Sequence, residues 1–282
     1  MEEFRNSRPL FALVSALILA CGALVSGCTA QAERQNVVLS GDLTLSVRQG
    51  GRVVALKSFK IADLLARKQV RVAGHGPGSS DSHEWSGVPI TELINGVLAE
   101  SPQARAFEID LLVLKTADGA KSILPRSFIN KYPVILALKK EGSALSKIST
   151  VVRNPESSDI RREMLPVDSY FVSGLVEIEM ANYREQFPSV FLKNRSDPRR
   201  MRGERLFVKT CMGCHGRSEW PMGDALSRKL LGRGRDLPLH PGVEGMPSLA
   251  EPDHAGLKSY FEAVRLENPD IAGAVARANG KS

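Results

Sequence analysis

The C-terminal third of the chain depends on residues 196–215, SDPRRMRGERLFVKTCMGCH. Its first three residues, Ser196-Asp197-Pro198, are a helix-start signal, because proline is tolerated in the first helical turn and its φ angle is already helical. The sequence therefore predicts a helix from this point to about Lys209. The helix leads into Cys211-Met212-Gly213-Cys214-His215, where two cysteines are three positions apart and a histidine follows the second.

A second helix is predicted to pack against the first. Gly203 and Phe207 are one helical turn apart, so the first helix offers a flat spot beside an aromatic ring, where another helix can approach closely. After Pro252, apolar residues recur at the i, i+3, i+4 and i+7 positions of one helix face. These residues are Leu257, Tyr260, Phe261 and Val264. A plain amphipathic helix pair without a cofactor has the same spacing.

The Cys-x-x-Cys-His pattern favours covalent haem attachment. Two thiols at this spacing can each add across one porphyrin vinyl group, which leaves His215 beside the iron. The competing interpretations are a thioredoxin-like redox pair, half of a zinc site, and coincidence. A thioredoxin pair follows a strand, whereas a predicted helix precedes this one, and no second Cys or His pair has zinc-site spacing. We therefore predict one haem c, held by Cys211 and Cys214, with His215 as its first axial ligand.

The helix pair and the haem motif together resemble a class I cytochrome c, which implies a small all-α domain over residues 196–282. In that family a Met-Pro pair supplies the second axial ligand, and Met246-Pro247 lies 31 residues after His215 (246 minus 215). The intervening glycines and prolines allow the chain to pass around the porphyrin edge. Rival second ligands are Met222, His240 and His254. If no residue fills this position, the iron is open and the chain is a sensor for a small gas.

The N-terminus resembles a bacterial lipoprotein signal. Arg5 and Arg8 precede an apolar run over residues 10–25, followed by Ser26-Gly27-Cys28. The resemblance implies that residues 1–27 are a signal peptide and that Cys28 carries lipid. An uncleaved anchor and soluble secretion are the alternatives, although the run is shorter than the roughly 20 residues of a membrane span. We predict export to the periplasm with a lipid anchor, and Thr29 favours the outer membrane because it is not acidic.

The cysteine count agrees with these assignments. The chain has four cysteines, and Cys21 lies inside the signal peptide. Cys28 takes the lipid, and Cys211 and Cys214 take the haem. No thiol of the mature chain is therefore left over, and no disulfide is required.

After a linker over residues 28–40, residues 41–190 are predicted to form an α+β domain. Strand patterns occur at residues 43–47, 70–72, 107–115, 134–139 and 175–180, with helices at residues 61–67 and after Pro89. Glycine and serine predict a loop at residues 74–82. We find no internal repeat, and a boundary with the haem region is expected near residues 193–196.

This domain resembles the molybdopterin-binding domain of the sulfite oxidase type. The matching segments are Trp85-Ser86-Gly87-Val88-Pro89-Ile90, Thr116-Ala117-Asp118-Gly119 and Leu124-Pro125. The family binds molybdenum through a cysteine before the tryptophan segment, but this chain has no cysteine between Cys28 and Cys211. Because nitrogen and oxygen ligands do not replace a soft thiolate, we predict that the domain lacks molybdopterin and serves as a docking or binding module.

The region that corresponds to the missing cysteine is residues 72–78. His75 and His83 flank the adjoining loop and are candidates for a metal or substrate pair. A solvated polar loop is the alternative, because the sequence places no third ligand nearby.

The charge balance bears on the partners. The formal net charge is +7, and the basic residues are mixed with acidic ones without any nucleic-acid-binding motif, so nucleic acid is excluded as a partner. Redox proteins with acidic docking surfaces fit this charge better. The basic residues between positions 217 and 235 are the candidates for their docking site, and a merely solvated basic loop is the alternative. The chain is thus predicted to carry electrons rather than to catalyse a reaction. The alternative is the haem-containing subunit of a molybdenum-cofactor oxidoreductase.

Overall fold

The computed structural model describes residues 41–77, 81–163, 165–215 and 250–268, which belong to one compact unit. The strands are β1 (Leu43–Gln49), β2 (Arg52–Phe59), β3 (Val70–Gly74), β4 (His83–Pro89), β5 (Leu111–Thr116), β6 (Lys121–Pro125), β7 (Val134–Lys140), β8 (Ser143–Val152) and β9 (Leu175–Ala181). The helices are α1 (Ile61–Ala66), α2 (Ile90–Glu100), α3 (Pro102–Ala106), α4 (Arg126–Lys131), α5 (Ser158–Arg162), α6 (Tyr183–Gln186), α7 (Pro198–Leu206), α8 (Met212–His215) and α9 (Glu251–Glu267). A 3-10 turn covers Val167–Tyr170, and a π-helical turn, Phe207–Cys211, joins α7 to α8.

The strands form two sheets. The first has the order β2-β1-β9-β5-β6, in which β1 and β9 are parallel and the other neighbours are antiparallel. The second has the order β3-β4-β7-β8 and is antiparallel throughout. One large apolar cluster contains residues of both sheets and of α2, so the two sheets share a core.

Strand β5 is buried on both of its faces. Leu112 and Leu114 belong to the core that the two sheets share. Leu111 and Val113 alternate with them, and so they point to the opposite face, where they join a second apolar cluster. The second cluster also contains Ile123 of β6 and residues of α6, α7, α8, α9 and the turns between them. The C-terminal helices therefore cover the outer face of the first sheet.

This arrangement corrects the predicted fold class. An α+β domain followed by a separate, small all-α cytochrome c domain is wrong for the described residues, which form one mixed α/β fold with two sheets. The physical reason is the second cluster, in which Phe207 and Phe261 share a core with the strand residue Val113. Helical spacing in a sequence shows that a face will be buried, but it does not show whether a helix or a sheet covers it.

Across the described ranges, no helix is both long enough and apolar enough to span a bilayer.

Candidate functional site

The helix crossing predicted from the sequence is present. Helices α7 and α9 meet at Gly203 and Gly256, both of which are buried. A Cβ atom at Gly203 would lie 2.7 Å from Cβ of Tyr260 and still closer to the carbonyl oxygen of Gly256. The two backbones thus approach to a separation that only glycine permits at position 203.

Aromatic rings fill the space beside the crossing. The ring of Phe207 lies 5.6 Å from that of Tyr260 and 5.5 Å from that of Phe261, the latter in an edge-to-face arrangement. All three side chains are fully buried. Together the three rings form a buried apolar cluster beside the segment that leads into Cys211.

The cysteine motif begins at the end of a π-helical turn that follows α7. The π-helical turn ends at Cys211, and the backbone continues as the short helix α8. Single π-helical turns inserted in α-helices occur frequently at functional sites. Residues three positions apart lie on the same side of a helix, so Cys211 and Cys214 start from the same side of this segment. The side chains of Cys214 and His215 lie outside the part that the structure describes.

The residues present fit a covalently attached haem. Cys211 is half-buried and therefore within reach of a ligand. The hydroxyl oxygen of Thr210, the preceding residue, is buried without a hydrogen-bond partner among the described residues. Such a group is costly unless another polar group satisfies it. In the sequence, two closely spaced cysteines and an adjoining histidine lie next to the buried apolar cluster of aromatic rings, and these are the residue types that attach and ligate a haem c.

The motif is in direct contact with the 3-10 turn of the sheet domain. Gly213 is buried, and a Cβ atom there would lie 2.9 Å from Cγ of Pro166 and from Cε1 of Tyr170, and closer still to Oγ of Ser169. Met212 is fully buried in the second apolar cluster. No local sequence pattern predicts these contacts.

An ion cluster lies on the other side of the same segment. Lys209 of the π-helical turn forms an ion pair of 2.5 Å with Glu163, which is also paired with Lys131 and accepts a hydrogen bond of 3.0 Å from Tyr132. Partial burial alone would raise the pKa of Glu163. The hydrogen bonds from Lys131, Lys209 and Tyr132 outweigh this effect and lower the pKa to about 2.

Replacing Glu163 with glutamine should reduce the free energy of unfolding by about 1 kcal/mol at neutral pH, a magnitude limited by the solvent exposure of both lysines. The depressed pKa gives stability that is complete above the unfolded value of about 4.5 and is lost as the pH falls through about 2. The measurement is urea unfolding of both proteins at neutral pH and at a pH between these two values.

The difference between the two proteins should shrink at the acidic pH. Glu92→Gln, which removes a single exposed ion pair with Arg67, is the matched control and should show a smaller effect. A difference between wild type and Glu163→Gln that is unchanged by acid would contradict the assignment.

Buried polar groups attach the segment before α7 to the C-terminal helix. The Tyr183 and Tyr260 hydroxyls both donate to the carbonyl oxygen of Val190, at 2.9 and 2.5 Å, and burial raises the pKa of both phenols. Glu204 of α7 accepts from the Leu192 N–H at 2.9 Å and pairs with Arg195 at 2.7 Å. Burial raises the pKa of this carboxyl group. Sequence patterns gave no signal for these contacts.

His75 and His83 have separate surroundings. Nδ1 and Nε2 of His75 each lie 3.4 Å from a carboxylate, of Glu156 and Asp168 respectively. Nδ1 of His83 lies 3.4 Å from Glu141. Within the described ranges, no group of three His, Cys, Asp or Glu side chains is arranged to hold a metal ion.

Residues 72–77 lie where the sulfite oxidase type has its molybdenum-binding cysteine, and they supply no ligand that suits this metal. Val72 is buried in an apolar cluster with Trp85 and Ile135. The indole N–H of Trp85 donates to the carbonyl oxygen of Gly74 at 2.9 Å, and Gly76 packs against the indole ring. Residues 41–210 contain no cysteine, so this part of the chain has no thiolate to bind molybdenum.

Several predicted site residues lie outside the described ranges. They are Cys28, Met246, the rival ligands Met222 and His240, and the basic residues between 217 and 235. His254 is described, and it lies half-buried in the first turn of α9.

Comparison with known proteins gives few matches. No family model matches the chain, and no curated protein matches it. Among solved structures, the chain is similar to the sulfane dehydrogenase SoxCD from Paracoccus pantotrophus, with 15% identity and a TM-score of 0.36. The match covers 53% of this chain and 42% of that chain, so the chain spans less than half of that protein's length.

Proposed function

We propose that this chain is an exported, lipid-anchored c-type cytochrome that holds one haem and carries electrons between redox partners. The observation that supports it best is the position of Cys211-Met212-Gly213-Cys214-His215, on a helical segment whose first residue ends a π-helical turn. That segment rests on a buried aromatic group and on the sheet domain, and both hold it in place.

Each residue of the motif has a defined role in this proposal. Cys211 and Cys214 bind the haem through thioether bonds, and His215 is the first axial ligand. Met246 is the second axial ligand. When bound, the haem supplies a one-electron iron couple, and a thioether ligand raises its reduction potential.

Two protein ligands on the iron favour electron transfer over catalysis, because they leave no open coordination position for a substrate. The net charge of +7 favours partners with acidic docking surfaces. Residues 41–190 serve in this proposal as a docking module without molybdopterin, since they contain no cysteine that could supply a thiolate. The lipid on Cys28 keeps the protein at the membrane, and we favour the outer membrane.

Iron and molybdenum content per chain, together with the haem spectrum, test the proposal on full-length protein from membranes. We expect one iron, bound as covalent haem, and no molybdenum. Stoichiometric molybdenum would overturn the carrier function and favour the subunit of a molybdenum-cofactor oxidoreductase.

A pair of cysteine variants separates the two proposed modifications. Cys211→Ala should contain less covalent haem, and the haem that it does hold should keep one unreacted vinyl group, because only Cys214 can then form a thioether bond. Cys28→Ala is the matched control and should keep one haem per chain while moving from the membrane to the soluble fraction. A haem in Cys211→Ala with both vinyl groups reacted, as in wild type, would show that this cysteine does not hold the cofactor.

A further inference from the structure

We propose that the 3-10 turn Val167–Tyr170, with the adjoining Pro166, positions the haem-attachment segment, and that Ser169 and Tyr170 are positioning residues for the bound haem. This inference rests on the proposed function, because it takes Cys211–His215 as the haem-attachment segment. It adds a role for the sheet domain, which holds the cofactor's attachment site in place.

The backbone at position 213 lies so close to the 3-10 turn that a side chain larger than that of glycine would force a movement. The three atoms that a Cβ at position 213 would meet all belong to the 3-10 turn and its flanking proline, and two of them lie at 2.9 Å. Contacts shorter than 3.0 Å force one side to move. Because position 213 directly precedes Cys214 and His215, such a movement would change where the second thiol and the axial imidazole lie.

The 3-10 turn has little freedom to move. Ser169 donates its hydroxyl to the carbonyl oxygen of Pro166 at 2.6 Å, and Ser122 of β6 donates to the carbonyl oxygen of Ser169 at 2.5 Å. Thr150 of β8 donates to the carbonyl oxygen of Tyr170 at 2.5 Å. Since β6 and β8 belong to different sheets, the turn is attached to both and forms a fixed surface.

Tyr170 extends this surface along the attachment segment. Its side chain is fully buried, its ring packs 4.7 Å from that of Phe128, and its hydroxyl donates to the carbonyl oxygen of Lys209 at 3.4 Å. The same tyrosine therefore contacts the segment on both sides of Cys211, at Lys209 and at Gly213. The ion pair between Lys209 and Glu163 adds an attachment to the sheet domain.

A fixed attachment segment has a consequence for the redox centre. The orientation of an axial histidine and the hydrogen bonds and packing around it set the reduction potential of a haem. A displaced segment should thus change the potential as well as the efficiency of attachment. A purely structural role would lower protein stability but leave the potential of the bound haem unchanged.

The test compares wild type with Gly213→Ala in full-length protein. We expect Gly213→Ala to have several-fold less haem per chain, and the haem that is attached to have a shifted reduction potential. Gly96→Ala is the matched control, because a Cβ at this position in α2 meets nothing within 4 Å. It should keep full haem content and the wild-type potential.

A second pair of variants changes only the sheet domain. Ser169→Ala removes the atom nearest to position 213, so it should shift the potential with full haem content, whereas Ser143→Ala, at an exposed serine, should not. Combining Ser169→Ala with Gly213→Ala should recover part of the lost haem. If Gly213→Ala does not fold, Ser169→Ala and its control Ser143→Ala test the positioning role by themselves.

Failure of the positioning role and failure of the proposed function would give different results. Wild-type haem content and potential in both Gly213→Ala and Ser169→Ala would overturn the positioning role, while leaving the cytochrome assignment intact. A wild-type protein without covalent haem would overturn both.

Discussion

Replacing Gly203 with alanine should lower the free energy of unfolding by about 2 kcal/mol. The new Cβ would lie too close to the carbonyl oxygen of Gly256, which belongs to the backbone of α9 and cannot rotate away. Overpacking of this kind costs about 3 kcal/mol, and the better helix propensity of alanine returns about 1 kcal/mol. The measurement is urea unfolding followed by far-UV circular dichroism.

Two other glycine variants are controls for this prediction. Gly96→Ala lies in open space in α2 and should stabilise the protein by up to about 1 kcal/mol. Gly256→Ala meets its nearest atom, the Gly203 nitrogen, at 3.3 Å and should have a smaller effect than Gly203→Ala. If Gly203→Ala were as stable as wild type, α7 and α9 would not cross as described.

Replacing Met246 with alanine should remove the sulfur-to-iron absorption band and leave the covalent haem in place. Cys211 and Cys214 are unchanged in this variant, so attachment does not depend on the substitution. Because axial ligands set haem potentials over a wide range, loss of the thioether should lower the potential by on the order of 0.1 V. Absorption spectroscopy and redox titration of the purified holoprotein measure both effects.

Met222→Ala is the matched control, and it should keep both the band and the potential. A band that survives in Met246→Ala would refute Met246 as the ligand. A band lost in Met222→Ala would assign the position to Met222. If the wild-type protein lacked the band, the second axial ligand would be a histidine, or that position on the iron would be open.

Local patterns predicted several elements well. The strand expected over residues 134–139 is β7 (Val134–Lys140), and the strand expected over residues 175–180 is β9 (Leu175–Ala181). The helix expected over residues 61–67 is α1 (Ile61–Ala66). These elements are recognisable because the spacing of their apolar residues depends only on the element itself. The expected strand over residues 107–115 began too early, since β5 starts at Leu111 and Asp110 instead accepts a hydrogen bond from the Tyr183 N–H.

The candidate site was predicted only in part. Gly203 and Phe207 were recognisable as a crossing point because they lie one turn apart on one predicted helix. The need for glycine at position 213 arises from Ser169 and Tyr170, more than 40 residues earlier in the chain (213 minus 170 is 43). The role of Glu163 likewise depends on Lys131 and Lys209, which the fold brings together from distant parts of the chain. No local pattern contains such information.

The parallel pairing of β1 with β9 affects the order in which the first sheet can form. Leu45 pairs with Ile178, 133 residues later (178 minus 45), so one edge of β1 has no strand beside it until most of the sheet domain has been made. An open apolar strand edge is a template for pairing with other chains. A partly folded chain in which β9 has not yet paired with β1 is therefore prone to aggregate. Because the cysteine motif follows β9 in the chain, the surface that Gly213 contacts can form before the motif packs against it.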